Sequence, residues 1–406
     1  MKNRALWIIA AACVVLFLGI GIRQSFGLFL APMTNDLGWG REVFSVAIGL
    51  QNLIWGISQP FVGAIADRYG PGRVVAAGGT VYALGLYIMS ITTTPLAFHL
   101  SAGLMMGVAL STVSFALVFG AIAREVPPER QGMALGIGGA IGSAGQFLVV
   151  LGNQALIDAD GWRNAFLICA IVSAGCLIPL SIAIRRRKAA AGAPTVIVGA
   201  ESLSKALGEA FRHRGFMLLN AGFFVCGFHV TFIATHLPAY ITDKSLPAWV
   251  GGTALALVGL FNIVGSFAFG SLGDKYRKKY LLSLLYLARA AVIAGLLLAP
   301  PTATTMLIFG GAMGLLWLGT VPLTSSLVAQ IFGVRYMTTL FGIVFFSHQI
   351  GAFLGVWLGG KLFDATGSYD VVWLIAIVLG VAAALLHWPI ADEPMERIDP
   401  VAPVQF

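Results

Sequence analysis

The amino-acid sequence predicts an all-α membrane protein in which twelve transmembrane helices form two pseudo-symmetric six-helix bundles. Three observations lead to this fold class. Hydrophobic residues make up 58% of the chain and charged residues 10%, whereas soluble domains carry about 25% charged residues. Twelve apolar segments are long enough to cross a bilayer. Landmarks of the first half recur in the second half at a nearly constant offset.

The twelve helices follow from the lengths of the apolar segments, because about 20 apolar residues span the hydrocarbon core. Lys2 and Arg4 precede the first segment and resemble the start of a signal peptide. Since eleven further segments follow, we interpret it as an uncleaved first span. The predicted spans are 5–32, 43–65, 74–94, 97–121, 132–156, 163–184, 215–241, 248–272, 280–300, 304–330, 336–360 and 370–390.

Lysine and arginine are distributed unevenly between the two sides of the predicted membrane. With both termini inside, nineteen of them fall in cytoplasmic segments and four in outer loops. Cytoplasmic loops carry an excess of positive charge, so both termini are predicted to be cytoplasmic and the protein to lie in the cell inner membrane. This topology, rather than nucleic-acid binding, explains the formal net charge of +8.

Three charged landmarks occur twice in the chain. Their offsets are 207, 205 and 206 residues, for the pairs Asp67 and Asp274, Arg130 and Arg335, Asp158 and Asp364. Parallel repeats of this kind are typical of transporters whose substrate binds between the halves near the membrane midplane. The predicted units are an N-terminal bundle (1–184), a cytoplasmic linker (185–214), a C-terminal bundle (215–390) and a cytoplasmic tail (391–406).

The linker opens with four basic residues, 185–188, and passes through a stretch rich in alanine, glycine and proline. It ends in a predicted short amphipathic helix that can lie on the membrane surface. The apolar residues at helical spacing are Leu203, Ala206, Leu207, Ala210 and Phe211. The simpler interpretation is a positively charged connection between the halves.

A short charged loop between the second and third spans, Gly63–Arg73, is repeated between the eighth and ninth spans as Gly270–Lys279. Both copies read Gly-x-x-x-Asp-(Arg/Lys) with further basic residues. Glycine permits close helix approach, and aspartate can pair with a basic group or cap a helix. The repeated loop resembles the signature of the major facilitator superfamily of transporters. The resemblance implies conformational latches at Gly63, Asp67, Arg68, Gly70, Arg73, Gly270, Asp274 and Lys275.

The polar residues deep in the predicted spans are basic or neutral, whereas every aspartate and glutamate falls in a loop, a tail or a helix end. A buried arginine is costly in a membrane, and without an acidic partner its natural counter-ion is an anionic substrate. The sequence therefore predicts a positively charged pathway for anions. The candidate substrate-binding residues are Arg23, Gln24, Ser111, Ser114, Gln146, His229, Asn262, Arg289, His348 and Gln349.

Some of these candidates also have a purely structural interpretation. Arg289 can serve only to bond backbone carbonyls of neighbouring helices. His229 and His236 are seven residues apart and share a helix face that is otherwise apolar, so both can be packing residues. Arg23 is the strongest candidate for the residue that binds the anion.

The segments 21–39, 50–60 and 342–348 resemble the monocarboxylate and oxalate–formate branches of the superfamily. In those branches a polar or basic residue occupies the place of Arg23, and the oxalate–formate type carries a substrate-pairing lysine at the place of His348. The resemblance implies alternating-access transport of a small organic anion, by proton symport or anion exchange. The same families carry an arginine at the place of Ser266 and, in the monocarboxylate branch, an acid near Asn262.

We therefore predict a secondary transporter of a small organic anion, in particular a monocarboxylate. Arg23 would pair with the carboxylate, and Gln24, His229 and Gln349 would donate or accept hydrogen bonds. His348 would be the titrating group, since an imidazole pKa near 6.5 can couple protons to the anion. Because Ser266 replaces the family arginine, either the positive charge has moved to Arg23, with His348 or Arg289, or the substrate is not a simple carboxylate.

The alternative is an efflux transporter for a drug, a toxic anion or a metalloid. The fifth span lacks the proline of the efflux branch and the segment 104–109 of the fourth span is uncharged, which disfavours this alternative. A membrane enzyme is not expected, because the sequence has no metal cluster, nucleophile–base motif or cofactor fingerprint. The expected partners are a small anion, protons or a counter-anion and the lipid bilayer, without cofactor, metal or nucleic acid, around a monomeric protein.

Overall fold

The structure is a computed structural model that describes residues 2–115, 117–118, 128–184, 207–333 and 337–394, without the side chains of 2–6, 67, 128–136 and 338. These residues form helices and short connections, with no β-strand among them. The prediction of an all-α protein is confirmed. Arg335, the Arg130 side chain and most of the linker and tail lie outside the described residues; the described end of the linker, 207–212, is helical.

The helices are numbered here in chain order. They are α1 (Lys2–Gln24), α2 (Gly27–Leu37), α3 (Arg41–Tyr69), α4 (Pro71–Ile91), α5 (Pro95–Phe98), a π-helix (His99–Met105), α6 (Met106–Thr112), α7 (Pro128–Ala183), α8 (Arg214–Asp243), α9 (Ala248–Lys275), α10 (Lys278–Leu298), α11 (Ala303–Leu315), α12 (Thr320–Phe332), α13 (Met337–Thr366) and α14 (Asp370–His387).

Ten segments of the described chain are helical, long and apolar enough to cross a membrane. One of them, Ile137–Ala183, is 47 residues long and turns at Gly161, whose φ of 78° and ψ of 167° are not helical. It therefore contains both the fifth and the sixth predicted spans. The 29-residue helix α3 is not among the ten, and it carries polar side chains such as Gln51 and Asn52 between its apolar residues. With α3 and the double segment, the described helices account for the twelve predicted spans.

Three spans are interrupted where the sequence predicts continuous helices. Ser25 and Phe26 separate α1 from α2, and the Ser25 hydroxyl donates to the carbonyl of Ile22 at 2.7 Å. The fourth span contains the π-helix, and the tenth is divided between α11 and α12. Backbone groups released by a break must find partners because lipid offers none. Polar side chains therefore gather at the breaks.

Each half of the chain is built around one closely packed helix pair. In the first half α1 packs against α7, and a Cβ at Gly145 would lie 2.8 Å from the Cα of Phe17. In the second half α8 packs against α13, and a Cβ at Gly351 would lie 2.8 Å from the carbonyl carbon of Phe224. Gly145 and Gly351 are 206 residues apart, so the sequence repeat is also a repeat of helix packing.

The two halves meet along three helix pairs: α2 with α8, α3 with α13, and α7 with α9. The ends of α3, α8 and α13 that carry Arg41, Asp243 and Asp364 lie together, and we call this the Arg41 side of the molecule. The opposite ends of α3 and α9 carry Tyr69 and Lys275, and we call this the Lys275 side.

Candidate functional site

Arg23 ends α1 next to the break and lies where α1, α3 and α8 surround a small cavity. Its Nη2 donates to Oδ1 of Asn52 at 2.6 Å, and its Nη1 donates to Oε1 of Gln24 at 3.0 Å. The guanidinium carbon is 5.2 Å from the ring centroid of Trp55, within range of a cation–π interaction. These partners are neutral, and Arg23 takes part in no ion pair among the described residues.

Several buried polar atoms at this place have no hydrogen-bond partner among the described residues. A buried polar group without a partner is costly, so such atoms are typical of sites that receive a ligand or water. The set consists of Nε of Arg23, Oε1 of Gln51, Nε2 of Gln146, Oγ1 of Thr231 and Nε2 of Gln349. Three of the five are nitrogen donors, which suits an anion.

The cavity beside Arg23 is narrow in this conformation. Its free space holds about one water molecule, which is too small for a carboxylate substrate. The helices around Arg23 must therefore separate before a substrate of that class can bind. Residues of both halves line the cavity: Arg23, Gln24, Phe26, Gly27, Ile48, Gln51, Thr231, Ala234 and Thr235.

Sequence reasoning missed four of the residues at this site, namely Gln51, Asn52, Thr231 and Thr235. For Gln51 and Asn52 the sequence did contain a signal. Asn52, Trp55 and Gln59 recur three and four residues apart and mark one polar face of α3. The threonines lack such a signal, because a hydroxyl in a membrane helix usually bonds to its own backbone.

The Gln24 side chain continues the cluster towards α7, since its Nε2 donates to Oε1 of Gln146 at 3.4 Å. Asn262 of α9 lies farther along the same interface. Its Nδ2 donates to the hydroxyl of Ser143 at 3.0 Å, and its Oδ1 accepts from the amide of Leu318 at 3.0 Å. Asn262 thus links the two halves and also gives a hydrogen-bond partner to the Leu318 amide, which the break between α11 and α12 leaves free of the helix.

His348 and Gln349 approach the site from α13. Nδ1 of His348 is 3.2 Å from Oε1 of Gln349, and the imidazole stacks on Phe345 with ring centroids 5.8 Å apart. The Gln349 side chain packs against α3, where a Cβ at Gly56 would lie 3.0 Å from its Cγ. Gly56 is one helical turn beyond Asn52, so α13 presents Gln349 to the α3 wall of the site. The His348 imidazole lies instead against α8, with its ring centroid 5.1 Å from that of Phe223.

The structure does not bring His229 and Arg289 to this cavity. Nε2 of His229 is 2.7 Å from the carbonyl oxygen of Ala376 on α14. Arg289 is fully buried and donates from Nε and Nη2 to the carbonyl of Leu316, at 2.9 and 2.6 Å, and from Nη2 to that of Trp317. Both side chains therefore bond backbone carbonyls, and Arg289 satisfies the break between α11 and α12.

Ser111 and Ser114 are buried near the end of the fourth span. The Ser111 hydroxyl donates to the carbonyl of Val108 at 2.6 Å, and the Ser114 hydroxyl donates to the carbonyl of Ser111 at 3.1 Å. The Ser111 carbonyl also receives Nε2 of Gln59 at 3.5 Å. The two hydroxyls are thus occupied within their own helix and do not reach Arg23.

Charged residues hold the two halves together on the Arg41 side. Arg41 donates to both carboxylate oxygens of Asp243 at 2.7 Å and to the hydroxyl of Tyr369 at 2.8 Å. The Asp364 carboxylate accepts from the backbone amides of Arg41 at 2.9 Å and Glu42 at 2.8 Å. Asp364 of the second half therefore caps the N-terminus of α3 in the first half.

A second part of the Arg41 side is open. A cleft of about 240 Å³ lies between α2, α7, α8 and α9, with Asp158 on the α7 wall and Ala248 at the start of α9. Oδ1 of Asp158 accepts from Nε2 of Gln154 at 2.8 Å. The Arg41 side is thus closed along α3 and α13. Along α7 and α9 the cleft remains beyond a close contact, in which a Cβ at Gly252 would lie 2.8 Å from Cγ of Gln154.

A profile of the Major Facilitator Superfamily matches residues 9–355. The chain belongs to this superfamily. The uncharacterized MFS-type transporter YcxA of Bacillus subtilis (strain 168) is 26% identical over 96% of both chains. Monocarboxylate transporter 11 of Mus musculus is 26% identical over 91% of this chain and 83% of its own. The oxalate:formate antiporter of Oxalobacter formigenes is 22% identical over 99% of this chain and 96% of its own. The predicted resemblance to these branches is confirmed.

Solved structures of other Major Facilitator Superfamily transporters have the same fold. A bacterial homolog of the human lysosomal transporter Spinster, inward-facing and unoccupied, gives a TM-score of 0.78 at 13% identity, covering 95% of this chain and 97% of its own. The D-xylose-proton symporter gives a TM-score of 0.69 at 16% identity, covering 96% of this chain and 99% of its own. The predicted fold class is confirmed, and the chain is a multi-pass membrane transporter rather than an enzyme.

The superfamily loop signature lies on the Lys275 side. Gly70 connects α3 to α4 with a φ of 90°, a conformation that favours glycine. A Cβ at Gly63 or Gly270 would meet nothing within 4 Å, so these glycines do not mark a close helix contact in this conformation. The side chain of Asp67 lies outside the described residues. Among the predicted latch residues, the charged ones whose side chains are described are all exposed: Arg68, Arg73, Asp274 and Lys275.

Two basic residues at the end of the second copy of the signature, Arg277 and Lys279, bind the start of the C-terminal tail. The Arg277 guanidinium donates to both carboxylate oxygens of Asp392, with Nε to Oδ2 at 3.1 Å. Nζ of Lys279 donates to the carbonyl of Ile390 at 2.8 Å and is 3.7 Å from Oδ1 of Asp392. Nε2 of Gln330 donates to the Asp392 carbonyl at 2.7 Å. These contacts fasten the start of the tail to Arg277 between α9 and α10, to the first turn of α10 and to α12.

Proposed function

We propose that this transporter moves a small organic anion, in particular a monocarboxylate, by alternating access, as a proton symporter or an anion exchanger. The observation that carries the proposal is Arg23, a partly buried cation at the interface between the halves whose partners are neutral amides. A carboxylate is the counter-ion that this guanidinium lacks. The printed names of the mouse and Oxalobacter relatives point to the same class of substrate.

In the proposed site each side chain has a defined task. Arg23 forms the ion pair with the substrate carboxylate, and the unpaired amide nitrogens of Gln146 and Gln349 donate further hydrogen bonds. Gln24 positions Arg23, and His348 is the group that exchanges a proton during transport. Asn262 links the two halves beside the site, and Arg289 supports the broken tenth span.

We place the transporter in the cell inner membrane with the Lys275 side facing the cytoplasm. The support is the excess of lysine and arginine in the segments assigned to that side. In this orientation the Arg41 side faces outward, and the bundles 1–184 and 215–390 rock about the site between them. The signature residues Asp67, Arg68, Asp274 and Lys275 then act as latches of the cytoplasmic gate.

The test is uptake of labelled lactate, pyruvate, acetate and oxalate into proteoliposomes, with and without an inward proton gradient. Wild-type protein runs beside Arg23→Gln and Arg23→Lys, and Arg212→Gln is the control because Arg212 is exposed. We expect saturable uptake of at least one carboxylate, lost in Arg23→Gln and partly retained in Arg23→Lys because only lysine keeps the charge.

Uptake that survives in Arg23→Gln would contradict the assignment of Arg23 as the anion-binding residue. Absence of carboxylate transport by wild-type protein under every gradient would contradict the substrate class, and efflux assays with drugs and toxic anions would follow. The Arg212→Gln protein must transport like the wild type for either result to count.

A further inference from the structure

Asp158 and Asp364 are equivalent landmarks of the two halves, 206 residues apart, yet their carboxylates have different partners. Asp364 accepts two backbone amides of α3 across the interface. Asp158 is exposed and accepts from Gln154 on its own helix. The two halves thus differ at a place where the sequence repeats.

The N-terminus of α3, which Asp364 caps, has an equivalent in the second half, the N-terminus of α9. Residues 41–43 at the start of α3 are matched at an offset of 207 by residues 248–250 at the start of α9. In each helix the amide of the third residue donates to the carbonyl of the residue just before the helix. Val43 donates to Gly40 at 3.2 Å, and Val250 donates to Pro247 at 3.0 Å. Asp364 accepts the first two amides of α3, whereas no described side chain caps α9.

We propose that Asp158 is the missing cap of α9 and a positioning residue for transport. When the halves close along α7 and α9, Asp158 leaves Gln154 and accepts the amides of Ala248 and Trp249, as Asp364 does for α3. Asp158 and Ala248 line the same cleft, so this movement shuts it. The inference rests on the alternating-access part of the proposed function and is independent of the substrate.

A difference in the residue before each helix explains why only one cap is made in this conformation. A Cβ at Gly40 would lie 3.2 Å from Cγ of Asp364, so the glycine leaves the carboxylate room to approach. The equivalent residue before α9 is Pro247, whose ring fills that space. The α9 cap is therefore the weaker of the two, and the interface opens there first.

The test measures distances between spin labels in purified full-length protein in lipid nanodiscs. Labels at Asp160→Cys and Lys244→Cys report on the cleft, and labels at Thr93→Cys and Thr366→Cys report on the α3–α13 contact. All four positions are exposed. Cys176, the native cysteine that is not buried, is replaced by serine.

We expect a short and a long distance for the 160–244 pair. Asp158→Ala should lower the ratio of short to long about fivefold, the effect expected for loss of one capping carboxylate, and Asp158→Glu should restore part of it. Pro247→Gly should raise the ratio, because the carboxylate gains the space it has at Gly40. Asp364→Ala is the matched control and should widen the 93–366 pair instead.

The inference is overturned if Asp158→Ala leaves the 160–244 distribution unchanged, or if every variant shows one long distance. If Asp158→Ala folds poorly, Pro247→Gly keeps the test decisive, because it is predicted to raise the ratio of short to long distances whereas Asp158→Ala lowers it. No substrate is needed, so the absence of carboxylate uptake would count against the proposed function and leave this result standing.

Discussion

Asn52 holds the central cation in place. Its Oδ1 accepts from Arg23 at 2.6 Å, while its own Nδ2 donates to the carbonyl of Ile48 at 2.7 Å. The second bond fixes which amide atom faces the guanidinium. Because the partner is an amide and not a carboxylate, Arg23 keeps its positive charge available for a substrate.

Asn52→Asp should weaken anion binding by supplying Arg23 with an internal counter-ion of nearly the same shape. We expect the affinity for the transported anion to fall about tenfold to hundredfold, the range by which an adjacent opposite charge shifts ionic equilibria. The affinity of Asn52→Ala should fall much less, since this change removes a hydrogen bond and leaves the charge of Arg23 free. Equal losses in both variants, measured by isothermal titration with the anion identified by uptake, would contradict this role.

The sequence identified Arg23, Gln24 and Gln146 because charged and amide groups are rare and costly at membrane depth. It ranked Arg289 below Arg23 but left two roles open for Arg289, substrate binding and bonding of backbone carbonyls. The distinction depends on the rotation of each helix about its axis and on the break at Leu316 to Thr320, whose freed carbonyls attract the guanidinium. Neither feature follows from the spacing of apolar residues.

At the scale of elements, apolar length predicted where the spans lie but not where they are interrupted. A hydropathy pattern shows that a segment can cross the bilayer. A broken helix whose free carbonyls have hydrogen-bond partners gives the same pattern as a continuous helix. The repeat was more informative. The glycines at equivalent places, Gly145 and Gly351, fix the α1–α7 and α8–α13 contacts that build each half.

The tail contact gives a prediction at the same scale. Arg277 donates to the Asp392 carboxylate, and this lowers the pKa of Asp392 below its ordinary value of 3.8. A lowered pKa means that the ionised carboxylate stabilises the folded protein above about pH 4, and that this contribution is lost as the pH falls through the lowered value.

Asp392→Asn should therefore lower the thermal unfolding midpoint by about 2–4 °C between pH 5 and 8. The difference from wild type should shrink as the pH falls below about 4, because wild type then also carries a neutral side chain. Glu393→Gln is the control, since this neighbouring carboxylate is exposed. A difference that stays constant down to pH 3 would show that charge is not the cause.

At the scale of the whole molecule, the Arg41 side is held by contacts that cross from one half to the other. Arg41 reaches Asp243 and Tyr369, and Glu42 accepts from Nε1 of Trp357 at 2.9 Å and lies 4.0 Å from Nζ of Lys361. Asp243 and Lys361 are partly exposed, so each pair is individually weak. Acting together, they bias the molecule towards closure on this side.

Arg41→Gln should loosen that closure, because it removes the bonds to both Asp243 and Tyr369. With spin labels at Thr93→Cys and Thr366→Cys we expect a longer or broader distance distribution than in the parent protein. Arg163→Gln is the control: Arg163 lies on the same side but donates to the carbonyls of Ser90 and Thr92 within its own half. An unchanged distribution in Arg41→Gln would mean that Asp364 and Glu42 maintain the contact without Arg41.

The separation of charges along the membrane normal has an electrical consequence. Arg23 lies within the spans, and the acidic residues of the sequence lie at their ends. An anion that binds without a proton, as in anion exchange, neutralises Arg23, so the loaded exchanger moves with a neutral centre. In proton symport the proton on His348 adds one positive charge, so the loaded centre carries the same single positive charge as the empty one. A membrane potential acts on moving charge at about 2.3 kcal/mol per elementary charge per 100 mV. Voltage would therefore leave the movement of a loaded exchanger almost unaffected, and it would act on the loaded and the empty steps of a symporter alike.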